Sequence, residues 1–216
     1  MRSLNAGPAI QPEEKTLKQL TQNVLVCAAL VAGAMVVASP GRSRANAVAA
    51  GDTAQDFTLT DVGGTAHRLS QYRDSAAVVV VFIATQCPVS NAYNGRMVEL
   101  ASTYQPKGFQ FLGINSNKQE SVDEIVRHSL RNRFPFPVLK DQGNVVADQF
   151  GATRTPEVYV ILPSRRVAYH GRIDDSQNEA NIHSRDLKDA LDAILAGRPV
   201  PRPETRAFGC TIKRVN

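Results

Sequence analysis

The most reactive chemistry on offer in this 216-residue chain is a cysteine followed by a proline, Cys87-Pro88, within Thr85-Gln-Cys-Pro-Val-Ser90. The pair stands where an apolar β-branched run ends and a helical pattern begins. A thiol at such a junction meets unsatisfied backbone N–H groups and the positive end of a helix dipole. Both favour the thiolate, which is the nucleophilic form. Pro88 suits a first helical turn, because that turn has no use for the missing N–H. A small buried hydrophobe ending a strand is the bland alternative, and it explains neither the position nor the proline.

Two further features belong with Cys87. Thr155-Pro156 immediately precedes an apolar β-branched run, Glu157-Val-Tyr-Val. A Thr-Pro there reads as a cis-proline, which exposes the preceding backbone for pairing with an extended substrate. Cys210, in Phe208-Gly-Cys-Thr-Ile-Lys213, is a second thiol, and the third, Cys27, lies in an apolar N-terminal run. If residues 1–47 are removed, Cys87 and Cys210 are the two that remain, able to pair in an oxidising compartment. Cys210 then serves either as a redox partner of Cys87 or as one half of a permanent staple.

The elements that must position these residues follow from periodicity. Residues 57–59 and 66–69 flank Asp61-Val-Gly-Gly-Thr and read as a hairpin. Residues 76–83 (AAVVVVFI) and 109–114 read as strands buried on both faces. A helix is predicted over 88–104, with Ala92, Met97, Leu100 and Tyr104 near one face. Ser121-Val-Asp-Glu predicts a capping box opening a helix to about Arg131. The segment 134–139 leads into a short extended stretch, and 145–150 forms a short helix closed by Gly151. Residues 157–162 and 166–169 read as a strand pair. The helix 184–195 turns Leu187, Leu191, Ile194 and Leu195 inward and stops at Gly197. Residues 198–216, with Pro199, Pro201 and Pro203, read as a tail carrying Cys210 rather than an element. The order is that of an α/β domain over 48–197, a mixed sheet flanked by helices, with an N-terminal hairpin extension.

On these residues the chain resembles the thioredoxin superfamily, over roughly 51–197. Within it the chain is similar to the redoxin branch related to alkyl-hydroperoxide-reductase and thiol-specific-antioxidant proteins. The stretches CPVSN (87–91), GINSN (113–117), FPFPVLKD (134–141) and GRIDD (171–175) carry the likeness to bacterial peroxiredoxin-like proteins. The resemblance implies a thioredoxin-like fold with thiol-disulfide or antioxidant chemistry and no cofactor. Two departures qualify what it implies. Where the thioredoxin pattern is Cys-x-x-Cys, the second position here is Ser90. Peroxiredoxins use Thr-x-x-Cys, which would require threonine at Ala84, and Thr85 is one place out of register.

The function expected is therefore an exported thiol-disulfide oxidoreductase. Cys87 is the attacking thiol, Cys210 or an external thiol reductant resolves it, and Pro88, Thr155 and Pro156 contact the substrate, a protein disulfide or small thiol. A thiol peroxidase passing through a sulfenic acid is the second enzyme reading. A non-catalytic module holding copper between two thiols and a histidine is the third. Against copper, no Cys-x-x-x-Cys motif occurs, and His67, His128, His170 and His183 lack metal-ligand spacing, so no metal site is expected. Arg154 and Arg172 are candidates for a positive charge near the thiolate. Asp174-Asp175 reads as a turn salt-bridged to Arg172, and Tyr93, Phe134 and Phe136 as core or groove lining.

Charge and the N-terminus bound the partners. Residues 1–47 carry five basic residues against Glu13 and Glu14, and the rest holds 20 basic and 18 acidic residues. So mixed a surface is no nucleic-acid footprint. The 15-residue apolar run 24–38 is short for a membrane span and fits an export signal, with Ala45-Asn46-Ala47 as a cleavage pattern. An uncleaved anchor is the alternative, and Val26 before Cys27 argues against lipidation. The mature protein is expected to be periplasmic or secreted, touching a membrane only through an uncleaved N-terminus.

Overall fold

A computed structural model describes residues 47–215. The export-signal reading of residues 1–47 and the apolar run 24–38 lie outside that range, apart from Ala47.

At the centre is strand β3 (Ala77–Phe82), whose six residues, AVVVVF, are all buried. β-Branched side chains suit a strand covered on both faces. On one side it pairs parallel with β4 (Phe109–Asn115), which pairs parallel with β5 (Val138–Lys140). On the other it pairs antiparallel with β7 (Glu157–Ile161), and β7 pairs antiparallel with β8 (Val167–Gly171). The sheet order is β5-β4-β3-β7-β8, a mixed sheet. Two short pairs lie apart from it. The hairpin β1 (Thr58–Thr60) with β2 (Ala66–Arg68) turns around Asp61, whose carboxylate accepts from the N–H groups of Gly63 and Thr65. β6 (Arg154–Thr155) pairs with β9 (Cys210–Thr211).

Alternation along β3 divides the core into two layers. Val79, Val81 and Ile83 face Met97 and Tyr104 of helix α2 (Asn94–Tyr104), Ile125 of α3 (Val122–Asn132), and Leu187 and Leu191 of α5 (Asp186–Leu195). Val78, Val80 and Phe82 face the other way. They meet Phe57 and Leu69 from the hairpin region, Val146 and Phe150 of α4 (Val145–Phe150), and Ile212. Helices thus flank a mixed sheet, and the hairpin adds to one face.

Three expectations need correction. The helix predicted over 88–104 is two helices, α1 (Pro88–Ala92) and α2, meeting at Tyr93. There the Tyr93 N–H bonds the Ser90 carbonyl at 3.0 Å, an i to i−3 bond that tightens the turn. The predicted capping box is half made. Ser121 accepts from the Glu124 N–H, but the Glu124 carboxylate takes the Thr85 hydroxyl at 2.6 Å and the Gln86 amide at 3.0 Å instead. The stretch read as a tail without elements is packed against the domain. The His170 N–H donates to the Pro203 carbonyl and the Thr205 N–H to the His170 carbonyl, β9 pairs with β6, and Ile212 is buried.

Candidate functional site: two thiols across a cis-proline

Cys87 lies between the end of β3 and the start of α1. Its side chain is buried, and its sulfur accepts from the Ser90 N–H at 3.3 Å. The thiol donates to the Thr155 carbonyl oxygen at 3.4 Å. The Thr155–Pro156 peptide bond is cis. Ser90, at the place where a second cysteine of a Cys-x-x-Cys pair would stand, is fully buried, and its hydroxyl accepts from the Ala84 N–H.

The second sulfur arrives from β9. Cys210 stands opposite Thr155 in the β6–β9 ladder, the residue whose carbonyl accepts the Cys87 thiol. Both cysteines are free thiols. The close fit depends on Gly209, at φ 141°, because a Cβ there would come 2.1 Å from the Thr155 carbonyl oxygen. Pro88 opens α1, and Pro156 carries the chain from β6 into β7. The structure therefore brings Cys87, Pro88, Thr155, Pro156 and Cys210 to one place.

The two thiols titrate in opposite senses. Burial pushes the Cys87 thiol up, but the neighbouring Cys210 thiol, the Ser90 N–H and the Thr155 side chain outweigh it, and its pKa falls below the ordinary 9.0. The Thr155 hydroxyl is buried and, among the described residues, without a hydrogen-bond partner. For Cys210, burial and then the neighbouring Cys87 push the pKa up. Cys87 is thus the more readily ionised thiol of the pair.

Arginine does not contribute here as the sequence suggested. Arg172 pairs with Asp186 at 2.7 Å and leaves Asp174 to Arg96, at 2.6 Å. Asp175 accepts the N–H groups of His183 and Ser184. Arg154 reaches the Gly209 carbonyl at 3.3 Å and the Thr211 hydroxyl at 3.1 Å, so it holds β9. The histidines stand elsewhere. His67 lies between Asp61 and Tyr72, His128 against Asn91 and Asn94, His170 between Glu157 and Glu204, and His183 is exposed. Among the described residues no group of three His, Cys, Asp or Glu side chains is placed to hold a metal. Tyr93 and Phe136 are core residues, and Phe134 is stacked on Phe136.

Sequence reasoning missed the residues that hold the thiol loop. Glu120, 1% exposed, accepts the Thr85 N–H at 2.8 Å and the Gln86 N–H at 3.1 Å. Its carboxylate is also bonded by the side-chain amides of Asn115 and Asn117. The Asn117 carbonyl oxygen of the side chain accepts the Lys213 N–H at 2.7 Å, just past β9. One bracket thus steadies the segments on both sides of the thiol pair. The signal available was the GINSN stretch, whose two asparagines have no use in a plain strand end. A polar cavity of about 420 Å³ lies beside this loop, lined by Thr85, Asn91, Glu124, His128 and Arg131, and Cys87 does not line it.

A mixed sheet flanked by helices, with a thiol at the strand–helix junction facing a cis-proline, defines a thioredoxin-fold redox protein. The chain matches the AhpC/TSA family over residues 50–170 and belongs to that family. It is 31% identical to the thiol-disulfide oxidoreductase ResA of Geobacillus thermodenitrificans, over 56% of this chain and 68% of that protein. It is 26% identical to the chloroplastic peroxiredoxin Q of rice, over 62% of this chain and 61% of that protein. The structure of an uncharacterized conserved protein from Geobacillus kaustophilus superimposes with a TM-score of 0.73 at 35% identity, covering 79% of this chain and 94% of that one. The chain's place is in the redoxin branch of the thioredoxin superfamily.

Proposed function

We propose that this protein is a thiol-disulfide oxidoreductase that cycles between the Cys87/Cys210 dithiol and their disulfide. One observation carries the reading: Cys87 and Cys210 meet at Thr155, whose carbonyl accepts the Cys87 thiol and which Cys210 faces in the β6–β9 ladder. In the reducing direction the Cys87 thiolate attacks one sulfur of a substrate disulfide, forming a mixed disulfide and expelling one substrate thiolate. That thiolate, or water, takes the Cys210 proton. Cys210 then attacks the Cys87 sulfur, closing the intramolecular disulfide and expelling the second substrate thiol. Two electrons pass from the cysteine pair to the substrate, and an external dithiol restores the pair.

Membership of the AhpC/TSA family supports hydroperoxide as a second oxidant for the same sulfur. Attack by the Cys87 thiolate would yield a sulfenic acid and an alcohol, and Cys210 would condense with the sulfenic acid to give the same disulfide and water. The export expected from residues 1–47 is part of this proposal, since an oxidising compartment permits the cycle.

The test is thiol alkylation followed by mass spectrometry of protein equilibrated across dithiol/disulfide redox buffers. The expected result is a single two-electron transition in which Cys87 and Cys210 become protected together. Protection of neither thiol, or of Cys87 alone as an adduct of the buffer, sinks the two-thiol cycle. Adding hydrogen peroxide to the reduced protein separates the two oxidants by rate.

A further inference from the structure

In a thioredoxin-like site the backbone before the cis-proline is where an extended substrate would pair, and here that backbone is already paired. Thr155 and Arg154 are in antiparallel register with Cys210 and Thr211. Gly209 crosses over the Thr155 carbonyl oxygen so closely that no side chain fits between them. The Arg154 guanidinium fastens Gly209 and Thr211. Beyond β9 the Ile212 N–H bonds the Thr153 carbonyl at 3.0 Å, Ile212 is buried, and Lys213 is held by Asn117. Before it, Phe208 packs edge-on against Tyr93. Cys87 is 4% exposed beneath this strap.

We infer that residues 209–211 occupy the place of an extended substrate and keep polypeptide segments off Cys87 until the strap leaves β6. The inference rests on the redox reading of the Cys87/Cys210 pair and deepens it by assigning selectivity to the strap. Strap and polypeptide compete for the same N–H and carbonyl groups at Thr155, so the two bind in alternation. A small disulfide that needs no backbone pairing has only the steric cover of Cys87 to pass. A polypeptide must also displace two ladder positions and the Arg154 contacts. The same competition drives release: when β9 re-pairs with β6, it returns Cys210 to Cys87 and displaces the substrate backbone. Electrons and protons balance as above, with two electrons going from the thiol pair to the substrate disulfide.

The experiment uses the full-length chain with Cys210→Ser, which leaves the strap in place and stops the second step. Two activated probes are compared, cysteine carrying a thionitrobenzoate mixed disulfide and an extended ten-residue peptide carrying the same group. Release of thionitrobenzoate is read by absorbance. The quantity of interest is the ratio of peptide to cysteine rate constants in single turnovers. Gly209→Ala in the same background puts a Cβ against Thr155 and lifts the strap, and a chain ending at Ala207 removes it. The ratio is expected to rise by about tenfold or more on lifting the strap, the scale of one or two backbone hydrogen bonds. Because the shortened chain loses buried Ile212, the Gly209→Ala variant carries the test if that chain fails to fold. An unchanged ratio in Gly209→Ala overturns the inference. No reaction of Cys87 with either probe in any variant sinks the redox reading, and the strap's role with it.

Discussion

Cys210 stands directly opposite Thr155 in the β6–β9 ladder, and the Thr155 carbonyl accepts the Cys87 thiol at 3.4 Å. One residue therefore sets the position of both sulfurs. At the place of the second cysteine of a Cys-x-x-Cys pair, Ser90 is buried and its hydroxyl accepts the Ala84 N–H. The second thiol at this place is Cys210, carried by β9.

The first prediction concerns the ionisation of Cys87. After burial, which opposes ionisation, the Cys210 thiol is the leading influence on Cys87 and lowers its pKa. The rate of Cys87 alkylation by iodoacetamide should rise with pH around a midpoint below 9.0 in the wild type. In Cys210→Ala the midpoint should move up. An unmoved midpoint would mean that the Ser90 N–H and Thr155 alone set the thiolate.

Glu120 should matter more than a loop glutamate would suggest. Its buried carboxylate satisfies the N–H groups of Thr85 and Gln86 immediately before Cys87, together with two asparagine amides. Glu120→Gln leaves one acceptor oxygen for four donors and turns an NH₂ group toward them. The expected loss is about 1–3 kcal/mol, the cost of orphaning a buried polar group, read as a lower urea midpoint at unchanged slope. Cys87 alkylation should also change its pH midpoint. A purely structural glutamate would leave that midpoint alone.

Cys87-Pro88 and Thr155-Pro156 were legible in the sequence because their chemistry is local: a thiol, two prolines and the apolar runs beside them. β3 and β4 were legible for a similar reason, since a run such as AVVVVF has few other homes. What escaped notice depended on contacts distant in sequence. Cys210 was identified as the second thiol, but β9 has two ladder residues, and its place is fixed by Gly209 against Thr155 and by Asn117 nearly a hundred residues away. Asn117 and Glu120 sit in SNKQE, which reads as a solvated loop until the N–H groups of Thr85 and Gln86 are brought to it. Arg172 and Asp174 were paired by proximity in the chain, whereas folding gives Asp174 to Arg96 and Asp186 to Arg172.

Two ion pairs should differ sharply in worth. Arg96 and Asp174 are 6% and 3% exposed and 2.6 Å apart, and the Tyr93 hydroxyl also donates to Asp174. Asp174→Ala leaves a buried guanidinium with only the exposed Glu179 carboxylate, at 3.6 Å, and should cost about 3–5 kcal/mol, toward the lower end because the carbonyls of Ser176 and Gln177 still accept from Arg96. Lys188 and Asp192 lie half exposed on α5 at 2.7 Å. Lys188→Ala should cost less than about 1 kcal/mol. Chemical denaturation of both variants checks the contrast, and equal losses would contradict it.

The last prediction is a pH dependence centred on His170. Its ring is stacked on Tyr159 at 4.3 Å and lies between Glu157, at 2.9 Å, and Glu204, at 3.0 Å. Burial alone would lower its pKa, but the two carboxylates override burial and raise it above 6.5. Glu157 is pushed up by burial and brought below 4.5 by His170 and the N–H groups of Thr153 and Arg154. A raised histidine stabilises the fold fully below its unfolded value of 6.5, and that contribution is lost as pH climbs through the higher folded value. A lowered glutamate contributes above 4.5, and its share is lost as pH falls through the folded value. Stability from this pair should therefore be greatest between about pH 4.5 and 6.5 and decline toward alkaline pH. His170→Gln, which keeps hydrogen bonding but cannot charge, should flatten the alkaline side of a urea-midpoint profile while leaving Glu157 to hold Thr153 and Arg154. Because those two N–H groups lead into Thr155, the variant should also keep the Cys87 alkylation profile of the wild type. A shifted profile would show that the His170 charge reaches the thiol.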